Sequence, residues 1–225
     1  MDKESRKIRS MFNSISHRYD FLNHFFSANV DKIWRKKTVK ALKGEKIERI
    51  LDVACGTLDL AVDFAKEFPK ADIIGVDFAE KMLEKGLKKI KGKRIYPIHA
   101  DGSKLPFKDN VFDAVSIAFG IRNFEDMEKG LKEFRRVLKP GGVLLILEFT
   151  PNKNPFFNIY TGYLMPFLAK LFMSDGNSYK YLHKSVKEFP DGNKFKKIIE
   201  NQGFKDVEFF KLPFGISLLH KGYKA

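Results

Sequence analysis

Cysteine is nearly absent from this 225-residue chain, and its scarcity narrows the class of protein. Cys55 is the one cysteine, so no disulfide forms within the chain, which fits a reducing compartment. The opening residues, MDKESRKIRSMF, are charged and have no apolar signal core, so we expect a cytoplasmic protein. Apolar residues make up 44% of the chain, which predicts a globular fold, and the length predicts a single domain over residues 1–225.

Several common catalytic and binding motifs are also missing. The five histidines are scattered, and neither C-x-x-C nor H-E-x-x-H occurs, so we expect no metal site. The phosphate-binding P-loop and the serine nucleophile elbow are absent. The dinucleotide pattern G-x-G-x-x-G is absent as well, which argues against a nicotinamide or flavin cofactor at the first strand-to-helix turn.

Acidic residues are scarce on the two flanks of the chain. Residues 1–46 hold 12 Lys/Arg against 5 Asp/Glu, and residues 153–225 hold 12 against 6, whereas residues 47–152 are nearly balanced at 18 against 17. Fourteen of the 23 phenylalanines also lie on these flanks. Basic, aromatic flanks predict contact with an anionic membrane surface or with nucleic acid. The alternative is that a lysine-rich surface marks a heat-adapted protein.

From residue 47 onward the chain alternates between strand and helix patterns. Such alternation predicts an α/β fold with a mostly parallel sheet covered by helices on both faces. The last two strands are joined by a short turn, so we expect the seven-stranded sheet to end with an antiparallel strand. The strand segments are IERILDV, ADIIGVD, RIYPIHAD, the second half of LPFKDNVFDAVSIAFG, VLLILEF, KDVEFFKL and GISLLHKGYK.

Two segments lie outside this alternation. Residues 1–46 contain two helical patterns, 3–15 and 31–43, and we expect this N-terminal cap to fold over the ligand site. Residues 153–190 interrupt the rhythm before the last helix. They include an almost entirely apolar stretch at 156–173, which a glycine, a proline and a lysine interrupt, so we expect a lid or interfacial segment rather than a membrane span.

The stretch from Ile47 to Ala61 predicts a ligand cradle. A buried strand ends in small residues and a helix follows, so backbone N–H groups can approach a ligand closely. Asp52 closes the strand and would repel a pyrophosphate, whereas it suits a cationic, amino-acid-bearing ligand. The order acid, x, small, x, Gly, with Ala54 and Gly56 as the small residue and the glycine, resembles the first motif of S-adenosylmethionine (SAM) methyltransferases. The alternative is an ordinary strand-to-helix turn.

Acidic residues end the next two strands as well. Ligands sit at the carboxyl ends of strands in an open parallel sheet, so Asp77 can accept from ribose hydroxyls and Phe78 can lie on adenine. The alternative for Asp77 is a helix N-cap. Asp101 can accept from the adenine amino group, and the N–H of Gly102 can donate to a ring nitrogen.

Together these motifs resemble the UbiE/MenG-like C-methyltransferases of ubiquinone and menaquinone biosynthesis. The resemblance covers nearly the whole chain, and its specific parts are the FGIRN, SYKYL and YDFLN segments. The segments that carry it are FNSISHRYDFLN, LDVACGTLDLA, HADGSKLPFKDNVFDAV, AFGIRNFED, RVLKPGGVLLILEF and SYKYLHKSVKEFPD.

The resemblance implies a Rossmann-like class I fold and transfer of a methyl group from SAM to a ring carbon of a prenylated quinol, with demethylmenaquinol favoured. An isoprenoid tail would explain flanks that touch the inner face of the membrane. We expect no nucleic acid partner, and a homodimer stays an open option. Alternatives are methylation of another small molecule or RNA, or SAM binding without catalysis.

The resemblance also assigns residues. Arg122 is expected to stabilise a phenolate, Asn123 to orient the ring or a water, and Tyr179 to serve in acid–base chemistry, with Tyr181 and His183 as further candidates. The alternative for Arg122 is an ion pair with Glu125 or Asp126. For Tyr179, Tyr181 and His183 the alternative is aromatic packing within the lid. The cofactor residues are Asp52, Ala54, Gly56, Thr57, Asp77, Phe78, Asp101, Gly102 and Ala118.

Two positions depart from the family pattern. Leu58 stands where the family has glycine, and Ala118 where it often has serine. A backbone contact to the cofactor would survive the change at Ala118. With helical backbone angles Leu58 can place its side chain in the core, whereas a positive φ at this position would put cofactor binding in doubt.

Overall fold

The computed structural model describes residues 3–151 and 177–225, and it confirms the predicted seven-stranded sheet. The strand order is β3-β2-β1-β4-β5-β7-β6, and β7 alone runs antiparallel to its neighbours. The apolar VLLILEF segment lies inside the sheet between β4 and β7, as expected of a fully buried strand. The strands are β1 Arg49–Val53, β2 Asp72–Asp77, β3 Ile95–His99, β4 Phe112–Ala118, β5 Leu138–Phe149, β6 Phe204–Lys211 and β7 Ser217–Lys224.

Helices precede the sheet and connect its strands. The N-terminal segment forms α1, α2 and α3, so the HRYDFLNHFFS stretch between the two predicted helices contains a third. Most of the predicted lid lies outside the described residues, and its last part forms α7. The helices are α1 Lys3–Ile15, α2 Tyr19–Phe26, α3 Val30–Lys40, α4 Asp59–Glu67, α5 Glu80–Gly86, α6 Met127–Val137, α7 Asn177–Glu188 and α8 Gly192–Asn201. None of the helices described here has the length and apolar character that crossing a bilayer requires.

The sheet is buried on both faces because alternate residues of its central strands enter different cores. Along β1, Ile50 packs in one cluster with Trp34 of α3 and Phe64 of α4. Its neighbour Leu51 packs in the other cluster with Phe134 of α6. Each fully buried side chain of this size contributes about 1.5–3 kcal/mol. This two-sided burial holds the carboxyl ends of β1, β2 and β4 at one edge of the sheet.

The turn between β1 and α4 has an unusual backbone. Ala54, Gly56 and Leu58 all have positive φ, at 51°, 54° and 68°. Leu58 therefore lacks the helical angles that would have made its side chain cheap to bury. The side chain is fully buried even so, because Gly75 and Gly86 leave room for it: a Cβ on either glycine would lie 2.7–2.8 Å from its methyl groups. Leu58 thus fills the core beneath the turn in a left-handed conformation. Because its side chain points into the core and away from the ligand side of the turn, the positive φ does not obstruct a cofactor there.

This conformation predicts an inverted ranking of small residues at position 58. Leu58→Ala and Leu58→Gly should both lower the free energy of unfolding, by about 2–5 kcal/mol for the lost side chain. Leu58→Gly should be the more stable of the two by about 1 kcal/mol, because glycine accepts a positive φ without steric strain. Urea unfolding of the two variants measures this difference.

Leu60 provides the matched control for this ranking. It is buried in the same core but lies in helical backbone of α4, so there the alanine variant should be the more stable by about 1 kcal/mol. Equal or greater stability of Leu58→Ala relative to Leu58→Gly would contradict the role assigned to the left-handed backbone.

Candidate active site

A cavity opens at the carboxyl ends of β1, β2, β3 and β4. It is the position at which open α/β sheets bind their ligands. Seven of the nine residues predicted for the cofactor line it: Ala54, Gly56, Asp77, Phe78, Asp101, Gly102 and Ala118. Sequence reasoning therefore placed most of these side chains at one site without knowledge of the strand order.

Asp77 is the acid at the centre of this cavity. Its side chain is buried, and its carboxylate accepts the backbone N–H groups of Gly56 and Ala79, both at 2.8 Å. Burial raises the pKa of Asp77, and these two hydrogen bonds oppose the rise. The N-cap residue of α5 is Ala79, so Asp77 is not the helix N-cap. Its two hydrogen bonds instead join the β1 turn to the start of α5. Each oxygen keeps a lone pair for a ligand hydroxyl.

The remaining lining fits a nucleoside that carries a ribose diol. Backbone approach is open at Gly56, where an added Cβ would lie 3.5 Å from Met82 and project toward the cavity. At Gly102 an added Cβ would lie 2.6 Å from Val53, so only glycine fits that wall. Phe78 offers an aromatic face beside Asp77. The donor set is oxygen and backbone N–H, as a neutral ring and a diol require.

Two predicted cofactor residues are not among the described residues that line the cavity. Asp52 is 1% exposed and accepts the hydroxyl of Ser116 at 2.7 Å. Burial is the main reason that the pKa of Asp52 rises to about 7. Thr57 is also buried, and its hydroxyl donates to Asp20 and accepts from Lys89. Both side chains therefore bond to neighbouring elements of the protein: Asp52 to β4, and Thr57 to α2 and to Lys89.

Arg122 and Asn123 belong to a short 3-10 turn, Ile121–Asn123, that follows β4. Asn123 lines the cavity, as predicted. Arg122 is 7% exposed and lies behind the wall: its guanidinium donates to Glu148 Oε1 at 2.6 Å and to the carbonyl oxygen of Phe119 at 2.7 Å. Its described ion-pair partner is thus Glu148 on β5. The alternative considered from the sequence was an ion pair with Glu125 or Asp126.

Helix α7 reaches the same corner of the cavity. The hydroxyl of Tyr181 donates to the side-chain oxygen of Asn123 at 3.0 Å. His183 lies on the same helix. The side chain of Tyr179, predicted for acid–base chemistry, falls outside the described residues. Part of the segment predicted as a lid therefore contacts a predicted catalytic residue.

Several residues at this site were not identified from the sequence. Phe12 of α1 and Tyr19 of α2 line the cavity, so the N-terminal cap folds over it as expected. Phe119 lines it with a left-handed φ of 56°, and its ring packs 4.5 Å from that of Phe149. The YDFLN and FGIRN segments signalled these regions, but neither pattern shows which side chain faces inward. In the described ranges 3–151 and 177–225, no group of three or more His, Cys, Asp and Glu side chains could hold a metal ion.

Comparison with known proteins identifies the family. The model of the ubiE/COQ5 methyltransferase family matches residues 1–224. The chain belongs to this family. It is 42% identical over 230 residues to a demethylmenaquinone methyltransferase of Bacteroides fragilis, an alignment that covers 99% of the chain and 94% of the relative. It is 42% identical over 234 residues to the ubiquinone/menaquinone biosynthesis C-methyltransferase UbiE of Geobacter sulfurreducens, covering 100% and 91%.

Solved structures show the same fold. Haemonchus contortus phosphoethanolamine N-methyltransferase 2, solved in complex with S-adenosyl-L-methionine, matches with a TM-score of 0.65 at 18% identity. The match covers 84% of this chain and 52% of that one. Membership of the family makes the protein a methyltransferase with SAM as methyl donor, as the resemblance predicted, and the class I Rossmann-like fold is confirmed.

The buried state of Asp52 predicts a pH-dependent stability. Its pKa of about 7 lies well above the value of about 3.9 in an unfolded chain, so the folded protein binds this proton more tightly. Stability from this group is full below about pH 4 and is lost as the pH rises to about 7, by up to about 4 kcal/mol. Asp52→Asn should therefore be more stable than wild type above pH 7, and the two should converge near pH 4.

Urea unfolding of both proteins between pH 4 and pH 8.5 measures this difference. Subtracting one curve from the other removes the contributions of the other titrating groups. A difference in unfolding free energy that stays constant across this range would show that Asp52 is ionised in the folded protein throughout.

Proposed function

We propose that this protein transfers the methyl group of SAM to a ring carbon of a prenylated quinol, with demethylmenaquinol as substrate and menaquinol as product. The observation that carries the proposal is that FGIRN and SYKYL, the two segments most specific to this family, meet at the cavity through the bond from Tyr181 to Asn123. The names of the two relatives at 42% identity support the same substrate class.

Bound SAM supplies an electrophilic methyl group on a sulfonium. The residues of this chain hold the donor and prepare the acceptor. Asp77 accepts the ribose hydroxyls and Phe78 covers the adenine, while Asp101 and Gly102 read the edge of that ring. The quinol carbon becomes nucleophilic when a ring hydroxyl loses its proton to solvent. After that carbon bonds to the methyl group, it loses its own hydrogen as a proton, which restores the aromatic ring. The amide of Asn123, held by Tyr181, orients that oxygen at the end of β4.

Arg122 acts in this proposal from behind the cavity wall. Its positive charge lies one residue from Asn123 and favours the phenolate form of the substrate. Preorganised charges of this kind stabilise the negative charge that develops during a reaction. Glu148 offsets part of that charge, since it pairs with Arg122 and is itself 1% exposed. The same guanidinium holds the carbonyl of Phe119, a lining residue with a left-handed backbone whose ring packs against Trp34 and Phe149. Arg122 thus combines a charge with a positioning bond.

A methyl-transfer assay tests the function. Purified protein is supplied with labelled SAM and, in separate reactions, with a short-tailed demethylmenaquinol, a demethylated ubiquinone precursor and total RNA. We expect labelled menaquinol to be the main product. Methylation of RNA alone, or no transfer to either quinol by protein that binds SAM, would refute the proposal.

A membrane-borne substrate requires access to the cavity, and the N-terminal cap offers a route. Tyr19 of α2 faces the cavity, whereas Phe21 and Phe25 on the same helix are 55% and 48% exposed. Phe214, in the turn between β6 and β7, is 76% exposed. Exposed aromatics beside an excess of lysine and arginine suit the surface of an anionic bilayer. We propose that the exposed face of α2 formed by Phe21 and Phe25 contacts the membrane from the cytoplasmic side.

Vesicle binding measures this contact. The protein should co-sediment with vesicles that contain phosphatidylglycerol and much less with pure phosphatidylcholine, and binding should weaken at high salt because the lysine and arginine charges are screened. Phe21→Ser with Phe25→Ser should reduce co-sedimentation while SAM affinity is retained. Tyr96→Ser, at an aromatic residue that is 49% exposed on the edge strand β3, serves as the control. Equal binding by the double variant and wild type would exclude this face.

Variants at the Arg122–Glu148 pair separate charge from positioning. Arg122→Ala should slow single-turnover methyl transfer by about 10²–10³ and also destabilise the fold, because it leaves Glu148 buried without its partner. Glu148→Gln keeps a hydrogen-bond acceptor for Arg122 and removes only the offsetting charge, so turnover should be preserved or raised. Single-turnover rates with SAM affinity measured separately give the result. Wild-type turnover in Arg122→Ala would remove Arg122 from the mechanism.

A further inference from the structure

Tyr19 is an aromatic residue of the N-terminal cap that lies against the cofactor turn. It is the first residue of α2, and its ring carbon Cε1 lies 4.0 Å from the position that a Cβ on Gly56 would occupy. The ring also packs edge-on against Phe12, with 6.2 Å between centroids. The Tyr19 ring therefore lies over Gly56, on the side of the turn that lines the cavity.

The charged groups near Tyr19 show where this residue lies along the cavity. Burial raises the pKa of Tyr19, and both Asp77 and Arg122 are close enough to act on its hydroxyl, which is bonded to Asn23. Asp77 marks the ribose end of the site and Arg122 stands behind the end of β4. Tyr19 thus lies between the ribose and the corner at which Asn123 would meet the substrate. That interval is where the sulfonium of a bound SAM belongs.

A charged cluster holds this helix on the turn. Asp20, the next residue, accepts the hydroxyl of Thr57, and Lys89 Nζ lies 2.6 Å from Asp20 and 2.6 Å from Asp59. We call Asp20, Thr57, Lys89 and Asp59 the cap cluster. Because Thr57 belongs to the cofactor turn itself, the cap cluster fixes α2 directly to the residues that hold the ligand.

We propose that Tyr19 is a cofactor-contacting residue whose ring faces the sulfonium, and that Asp20 is the positioning residue that holds it there. An aromatic face attracts a cation and has no such attraction for a neutral thioether. Tyr19 therefore favours SAM over S-adenosylhomocysteine, its neutral product, and helps the product to leave after methyl transfer. The inference rests on the cofactor and not on the identity of the quinol.

Equilibrium binding of SAM and S-adenosylhomocysteine to the full chain tests this inference without any methyl acceptor. Tyr19→Leu should lower the ratio of SAM affinity to S-adenosylhomocysteine affinity by about tenfold, the effect of one cation–aromatic contact. Tyr19→Phe keeps the ring and should keep the ratio. Thermal unfolding of each variant confirms that it is folded. Phe25→Leu, at an exposed ring on the same helix that does not line the cavity, should leave the ratio unchanged.

Asp20→Asn tests the positioning role. It should lower the ratio by less than Tyr19→Leu does, and the double variant Tyr19→Leu with Asp20→Asn should match Tyr19→Leu alone, because Asp20 acts through the ring. An unchanged ratio in Tyr19→Leu, a loss of similar size in Tyr19→Phe, or an equal fall in Phe25→Leu would each overturn the assignment. Loss of quinol methylation with these ratios intact would concern the proposed substrate only.

Discussion

Two hydrogen bonds to one buried carboxylate hold the site together. Asp77 accepts from Gly56 in the β1 turn and from Ala79 at the start of α5, so two neighbouring strand ends share a single acceptor. A buried N–H left without an acceptor costs about 1–3 kcal/mol, which makes the carboxylate necessary to the left-handed turn as well as to the ligand. The carboxylate that we propose to bind the ribose therefore also shapes the turn beside it.

Buried acids dominate the electrostatics around this cradle. Asp52, Asp77 and Glu148 end or nearly end β1, β2 and β5, and burial raises the pKa of all three. A buried carboxylate is stabilised by any positive charge brought near it. The cationic methyl donor is therefore electrostatically complementary to the acidic residues at this end of the sheet. In the proposed reaction, the Arg122–Glu148 pair lies at the corner where the quinol would lose its proton.

The N-terminal cap joins the cavity to the surface. Helix α2 turns Tyr19 toward the cofactor turn and Phe21 and Phe25 outward, while Leu22 between them is buried. The cap cluster links this helix to Thr57, so the exposed rings and the cavity-lining Tyr19 belong to one helix that is bonded to the β1 turn. This arrangement suits an enzyme whose substrate remains in a bilayer while its cofactor comes from solution.

The residue pattern alone predicts the seven strands, most of the helices, the class of cofactor and eight of the residues that line the cavity. Apolar runs and small residues identify strands and turns through local backbone preferences, and acids at strand ends meet wherever parallel strands are aligned. These signals depend on residues that are close together in the chain, so they can be recognised without knowing how the helices and strands pack.

Only the tertiary structure decided which side chains meet. Arg122 pairs with Glu148 and not with its sequence neighbours, because β4 and β5 end side by side. Leu58 is accommodated with a positive φ because Gly75 and Gly86, from other elements, leave space beneath it. Thr57 turns its hydroxyl to Asp20 of a helix 37 residues away in the chain. Periodicity shows which face of an element is buried, whereas the partner on that face is set by packing between distant segments.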